Sequence, residues 1–223
     1  MDRLRNLRPL TYGALILTLA VLLGACASHT RASSADGVDR IHISQAAPGQ
    51  QVAVLAGGCF WSMQAMFSQL RGVDEVVPGY AGGNTADPSY AEVCTHTTGY
   101  AESIRIVFDP KVISYRQLLT IFFSAHDPTT LNQQGDDEGT NYRSAIFYKN
   151  AAQKADALDA VADTNKRLGG DYVVTQVVPF TNFYAAEQFH NHYFALHPDE
   201  PYCQDVVAPK VAKFQDHWRG WLK

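Results

Sequence analysis

Apolar and polar positions change period several times along this chain, and the changes divide it into elements. "VAVLA", residues 52–56, is a short continuous apolar run, the pattern of a strand buried on both faces. From 59 to 70 the apolar residues Phe60, Met63, Met66 or Phe67, and Leu70 recur at helical spacing. "VDEVVPGYAGG" is extended and ends in a glycine turn, and "IRIVFDP" alternates as a strand. "SYRQLLTIFFSAHDP" is a helix opened by a capping box from Ser114 to Gln117. "YRSAIFYKN" predicts a strand, 151–168 a long helix stopped at Gly169-Gly170, "YVVTQVV" a strand and "YAAEQFHNHYFAL" a helix. Strands and helices alternate too irregularly for a doubly wound sheet. The expected fold is α+β, a single domain with a mixed β-sheet flanked by helices in an elaborated ferredoxin-like sandwich. Near the end Phe214, Trp218 and Trp221 or Leu222 share one helical face, which predicts core packing.

The first fifty residues follow another pattern. Arg3, Arg5 and Arg8 precede an apolar run from 15 to 23, too short for a permanent membrane span and suited to a signal-peptide core. The run closes on "LGAC", similar to a bacterial lipoprotein box in which Cys26 is acylated after cleavage. Residues 1–25 therefore read as a signal peptide. Residues 26–51 read as a lipidated cysteine and flexible tether, and 52–223 as the folded domain. This predicts an exported protein, lipid-anchored on the periplasmic side. Ala27, where an Asp would favour retention, points to the outer membrane by the same resemblance. An ordinary secretory signal cut near "ACA" would leave the placement of Cys26 to chance.

Charge narrows the partners. The chain has 18 Lys and Arg against 22 Asp and Glu, a net of −4, with no basic cluster to neutralise phosphates. Nucleic acid is not an expected partner.

The chemistry starts at "GGCFW". Cys59 lies where a strand turns into a helix, and backbone N–H groups at a helix N-terminus lower a thiol's pKa. A depressed pKa is therefore expected there. Gly57 and Gly58 allow the turn and leave the sulfur open to approach. A lone cysteine is more often a small core residue, so position alone leaves both readings open.

"GGCFW" is followed in order by "GYAGG" (79–83), "PSY" (88–90), "TGYAE" (98–102), "HDPTT" (126–130) and "QGDDEGTNYRSAIFY" (134–148). Together these resemble the type A peptide methionine sulfoxide reductases, which act on the S epimer, from about residue 52 to Cys203. The resemblance implies that Cys59 attacks the sulfoxide sulfur while Phe60 and Trp61 hold the substrate's methyl group. It makes Glu102 the acid that protonates the sulfoxide oxygen, with Tyr90 and Tyr142 bonding that oxygen and Asp137 ordering the site. Cys203 in "DEPYC" matches the resolving cysteine on a mobile C-terminal segment. It would form a disulfide with Cys59 that a thioredoxin-like partner reduces, with no metal or organic cofactor required. Methionine sulfoxide, free or in proteins, is the implied substrate, and a monomer is expected. Cys94 is read as packing.

Four departures stand out: Ser62 and Gln64, in Ser62-Met63-Gln64 where the family carries Gly-Ala-Glu or Cys-Met-Glu, Tyr100 where histidine is usual, and Asn141 where glutamine is usual. Loss of the carboxylate at 64 is expected to loosen a supporting contact. Two rival readings remain: a Cys-His hydrolase pairing Cys59 with His126 or His190, and a structural lipoprotein stapled by Cys59 and Cys203. His190, His192 and His197 match no metal-ligand spacing.

Overall fold

The computed structural model describes residues 38–223; the proposed signal peptide and Cys26 lie outside the described residues. Six strands form the main sheet: β1 (Gln51–Gly57), β2 (Val73–Ala81), β3 (Ala101–Phe108), β6 (Ser144–Tyr148), β7 (Gln176–Pro179) and β8 (Phe183–Ala185). Their order is β7-β6-β1-β3-β2-β8, antiparallel except for the parallel pair β6–β7. A two-stranded ribbon, β4 (Gln133–Gln134) with β5 (Asp137–Glu138), stands apart from it. The sheet is mixed, as expected.

The apolar run of β1 is continuous because both of its faces are buried. Ala53 and Leu55 belong to the main core, whereas Val54 and Ala56 belong to a smaller cluster with Ala81, Ala101, Ala145 and Phe147. The main core takes its helical layer from α1 (Phe60–Phe67), α3 (Tyr115–Ala125), α4 (Ala151–Leu168) and α6 (Ala208–Trp218). The capping box at Ser114 and Gln117 is formed, and Gly169 ends α4 in the left-handed region at φ 81°. Phe214 is buried, and Trp218 and Trp221 pack partly buried against the same core.

Two expectations fail for one reason. "YAAEQFHNHYFAL" is not a helix: it gives β8, a 3-10 turn Gln188–His190 and a single turn α5 (Tyr193–Leu196). The Ala186 N–H bonds Pro78 O at 2.9 Å, and Ala186 O accepts from Ile41 N–H at 2.9 Å. Backbone groups that a helix would use internally are taken by the sheet edge and by the segment before β1, so tertiary pairing overrides local propensity. That same segment is not a free tether over its whole length, since Ile41 is 7% exposed and joins the main core. In "YVVTQVV" only the second half is strand, because Val174 N–H is drawn to Pro128 O.

Candidate active site

Cys59 is the N-cap of α1, with φ −54° and ψ 120°, and follows the last residues of β1. Gly58 between them has φ 88°, and a Cβ there would meet Gln134 Cγ at 2.4 Å, so only glycine fits this turn. The first free N–H of α1, on Phe60, donates to Glu102 Oε2 at 3.1 Å. Glu102 reaches it from β3, where it pairs with Tyr80 of β2. The sheet register thus carries the carboxyl to the helix end that bears the thiol.

Electrostatics then assign protons. Glu102 is 2% exposed. Burial pushes its carboxyl up to about 8, against the Phe60 N–H, which favours the anion; the Asp137 charge raises it further and Asn141 opposes. At neutral pH it carries a transferable proton. The expected depression of the Cys59 thiol does not occur: burial pushes it up to about 12, and the Glu102 charge adds to this. Tyr202 opposes through a hydrogen bond, Asp137 raises, and the Trp61 N–H lowers. Desolvation outweighs the helix terminus, so the resting site holds thiol beside carboxylic acid.

The other expected residues gather around this pair. Tyr142 lies within the electrostatic reach of both Glu102 and Cys59, and Tyr90 within that of Glu102; burial, the leading cause in each, raises both phenols and keeps them donors. Tyr90 opens α2 (Tyr90–Val93), and its ring stacks 6.3 Å from that of Phe60. Asp137 is half-buried and accepts from the Tyr202 hydroxyl at 2.7 Å. Phe60 is 1% exposed and its ring touches those of Tyr80, Tyr90 and His190, so it is core and wall at once. Trp61 is half-buried, stacked on Tyr193 at 3.8 Å, and donates from Nε1 to His190 Nδ1 at 3.0 Å.

Cys203 is not bonded to Cys59; both are buried free thiols. It begins a π-helical turn, Cys203–Val207. Its sequence neighbour Tyr202 bridges the gap: its hydroxyl donates to Asp137 and lies within reach of the Cys59 sulfur. Tyr202 is an addition to the expected site, and its one signal in the sequence is adjacency to Cys203. Cys94, read as packing, also bonds the Tyr90 hydroxyl.

The histidines do not serve as bases for Cys59. His126 has both ring nitrogens engaged, with Phe122 O and Ser144 Oγ at 2.7 Å each, and burial lowers it to about 4. His190 is likewise lowered by burial, to about 3, and its Nδ1 accepts from Trp61. The Gln64 expectation is also overturned. Its amide donates to Val76 O and Asn191 Oδ1 at 2.9 and 2.8 Å and accepts from His192 N–H at 2.8 Å, so the contact is full rather than loosened. Tyr100 packs on Tyr184 and bonds Thr85 O, while Asn141 Nδ2 faces Glu102 Oε1 at 3.4 Å. A groove of about 960 Å³ runs between α3 and α6 past Gly57, Lys213 and Trp218, but Cys59, Glu102, Tyr90 and Tyr142 do not line it.

Residues 51–221 match the family described as "Peptide methionine sulfoxide reductase". The chain belongs to this family. The curated "Peptide methionine sulfoxide reductase MsrA" of Picrophilus torridus is 51% identical over 74% of this chain and 93% of its own length. A protein of that name from Thermus thermophilus is 48% identical, over 78% and 98%. Among solved structures, Mxr1 of Saccharomyces cerevisiae in reduced form has a TM-score of 0.66 at 33% identity, covering 71% of this chain and 92% of that one. Methionine sulfoxide reductase A of Corynebacterium diphtheriae has a TM-score of 0.65 at 32% identity, covering 68% and 77%. The reductase fold of these relatives is the α+β architecture described above.

Proposed function

We propose that this protein reduces the S epimer of methionine sulfoxide, free or in oxidised proteins, with Cys59 as nucleophile and Glu102 as general acid. The observation that carries the chemistry is the buried Glu102 carboxyl, accepting from the Phe60 N–H at the helix end that bears the Cys59 thiol, where burial favours its protonated form. Sulfoxide is a poor electrophile until its oxygen is protonated. Glu102 supplies that proton while the Tyr90 and Tyr142 hydroxyls bond the oxygen. The Cys59 sulfur attacks the protonated sulfoxide sulfur and a transient S–S bond forms; this bond and the S–O bond then break as oxygen passes to Cys59, leaving a sulfenic acid and methionine. Methionine sulfur gains two electrons and Cys59 loses two; the thiol hydrogen replaces the proton that Glu102 gave. Cys203 then displaces water from the sulfenic acid, forming a Cys59–Cys203 disulfide that a dithiol reductant of the thioredoxin class exchanges back to two thiols. No step calls on a metal or organic cofactor. Reduced protein should release one methionine and lose two thiols with the S-sulfoxide, and neither with the R-sulfoxide. Release from R alone contradicts the reading.

Location is read from the N-terminal sequence. The three arginines, the apolar run and "LGAC" support a lipoprotein signal with Cys26 acylated, on the periplasmic side of the outer membrane. Mature protein should begin at Cys26 and fractionate with membranes, and Cys26→Ser should release or misprocess it. Wild-type protein wholly in the soluble fraction, beginning elsewhere, contradicts the anchor.

A further inference from the structure

Residues 38–50 precede the span matched by the family, yet part of this segment is built into the wall of the site. Gln188 N–H donates to Asp39 O at 2.8 Å and Ile41 N–H to Ala186 O, so Arg40 lies in an antiparallel bridge opposite Glu187. The Arg40 side chain is 17% exposed and its guanidinium forks between two loops. Nη1 donates to Ala185 O at 2.5 Å, Nη2 donates to Pro88 O at 2.9 Å, and Nη2 pairs with Asp87 at 2.7 Å. Asp87 has φ 47°, in the left-handed region that aspartate tolerates better than most residues.

Both loops reach the side chains proposed to hold substrate, the first directly and the second through His190. The first runs from Pro88 into Tyr90, and the second carries Glu187 and His190. They meet at Glu187, whose Oε1 accepts from Tyr90 N–H and whose Oε2 accepts from the Tyr80 hydroxyl, each at 2.7 Å. His190 Nε2 lies 3.8 Å from the same carboxylate, its Nδ1 holds the Trp61 indole, and its ring sits 4.5 Å from that of Tyr90.

We propose that Arg40 is a positioning residue of the reductase: by clamping the 87–88 and 185–187 segments together, it sets the spacing between Tyr90 and Trp61 and thereby tunes sulfoxide binding. The inference rests on the reductase reading of the site. A guanidinium suits the task because its planar fork reaches two carbonyls and a carboxylate at once, whereas an ammonium is a point charge. Cys59 and Glu102 stand on β1, α1 and β3 rather than on these loops, so Arg40 acts on binding more than on the chemical step.

The test is single-turnover methionine release across a range of methionine S-sulfoxide concentrations, for wild type, Arg40→Ala and Arg40→Lys, with thermal midpoints measured alongside. Misplacing a positioning group by about 1 Å costs up to ~10²-fold. We expect Arg40→Ala to raise the half-saturating concentration about tenfold and to lower the limiting rate less than about threefold. Arg40→Lys should fall between, and millimolar guanidinium should restore Arg40→Ala towards wild type. Should Arg40→Ala not fold, Arg40→Lys carries the test through its own rise in half-saturation. Unchanged half-saturation in the folded variants overturns the inference, as does a loss confined to the limiting rate. A wild type that releases no methionine instead overturns the reductase reading.

Discussion

Cys59 and Cys203 are held by different means. Cys59 sits at the junction of an interior strand with a helix, its position fixed by β1 pairing to β3 and β6 and by a glycine that no other residue can replace. Cys203 sits in a π-helical turn after the exposed stretch Pro198–Pro201, and its neighbour Tyr202 meets the site by its hydroxyl on Asp137 and by its ring edge-on to Trp61. Such turns occur often at functional sites. The contrast suits two tasks: attack needs a nucleophile preset against its acid, and resolution needs a thiol that travels to Cys59 after methionine has left.

The largest effect should come from the fixed half. Cys59→Ser should release no methionine, because a hydroxyl is a far weaker nucleophile than a sulfur. Cys203→Ser should still release about one methionine per enzyme before it stalls with a sulfenic acid that a trapping reagent labels. Equal loss in both variants would break the division of labour.

Next is Glu102→Gln, which keeps shape and removes the proton. General acid catalysis is typically worth roughly 10² to 10⁴ in rate, and the single-turnover step should slow by about that much. The wild-type step should also decline as pH rises through about 8, and this limb should be absent from the variant. Stability carries the same signature. The folded carboxyl lies above its ordinary value of 4.5, so its contribution is fully present below that value and lost as pH rises to about 8. Chemical denaturation across this window should show wild type weakening relative to Glu102→Gln.

A smaller effect tests the link between the halves. Gln64 joins α1 to Asn191 and His192 on the way to the C-terminal arm. Gln64→Glu restores the residue usual in the family but turns a carboxyl towards Val76 O and Asn191 Oδ1, which now accept from the amide. Leaving buried acceptors unpaired costs about 1–3 kcal/mol, so the denaturation midpoint should fall. A midpoint at or above that of wild type would mean that the loop repacks around the new group. The smallest effect belongs to Tyr202→Phe. Losing the hydrogen bond to Asp137, worth about 1 kcal/mol, should speed amide exchange across 202–207 about fivefold and leave the amides of 59–67 unchanged.

Much of this is legible in the chain, and what is not has physical causes. The run 52–56, the capping box at Ser114 and the glycine stop at 169 are local signals, and each forms the expected element. Ordered motifs name Cys59, Glu102, Tyr90, Asp137 and Tyr142, and all converge around one helix end. The thiol shifts opposite to expectation because a helix terminus is visible in sequence while burial is not. Residues 184–196 mislead because their apolar spacing suits a helix, yet their backbone pairs with Pro78 and Ile41, more than a hundred positions away. Arg40, Glu187 and Tyr202 also meet partners far away in the chain, and apart from the adjacency of Tyr202 to Cys203 no local pattern marks them.

Cys94 makes the decisive measurement a discriminating one, since it bonds Tyr90 at the edge of the site. Reduced wild-type protein is given one equivalent of methionine S-sulfoxide without reductant, and the product is mapped by mass. The account predicts one methionine per enzyme, a Cys59–Cys203 disulfide and a free Cys94. A Cys59–Cys94 bridge with Cys203 still a thiol would contradict it.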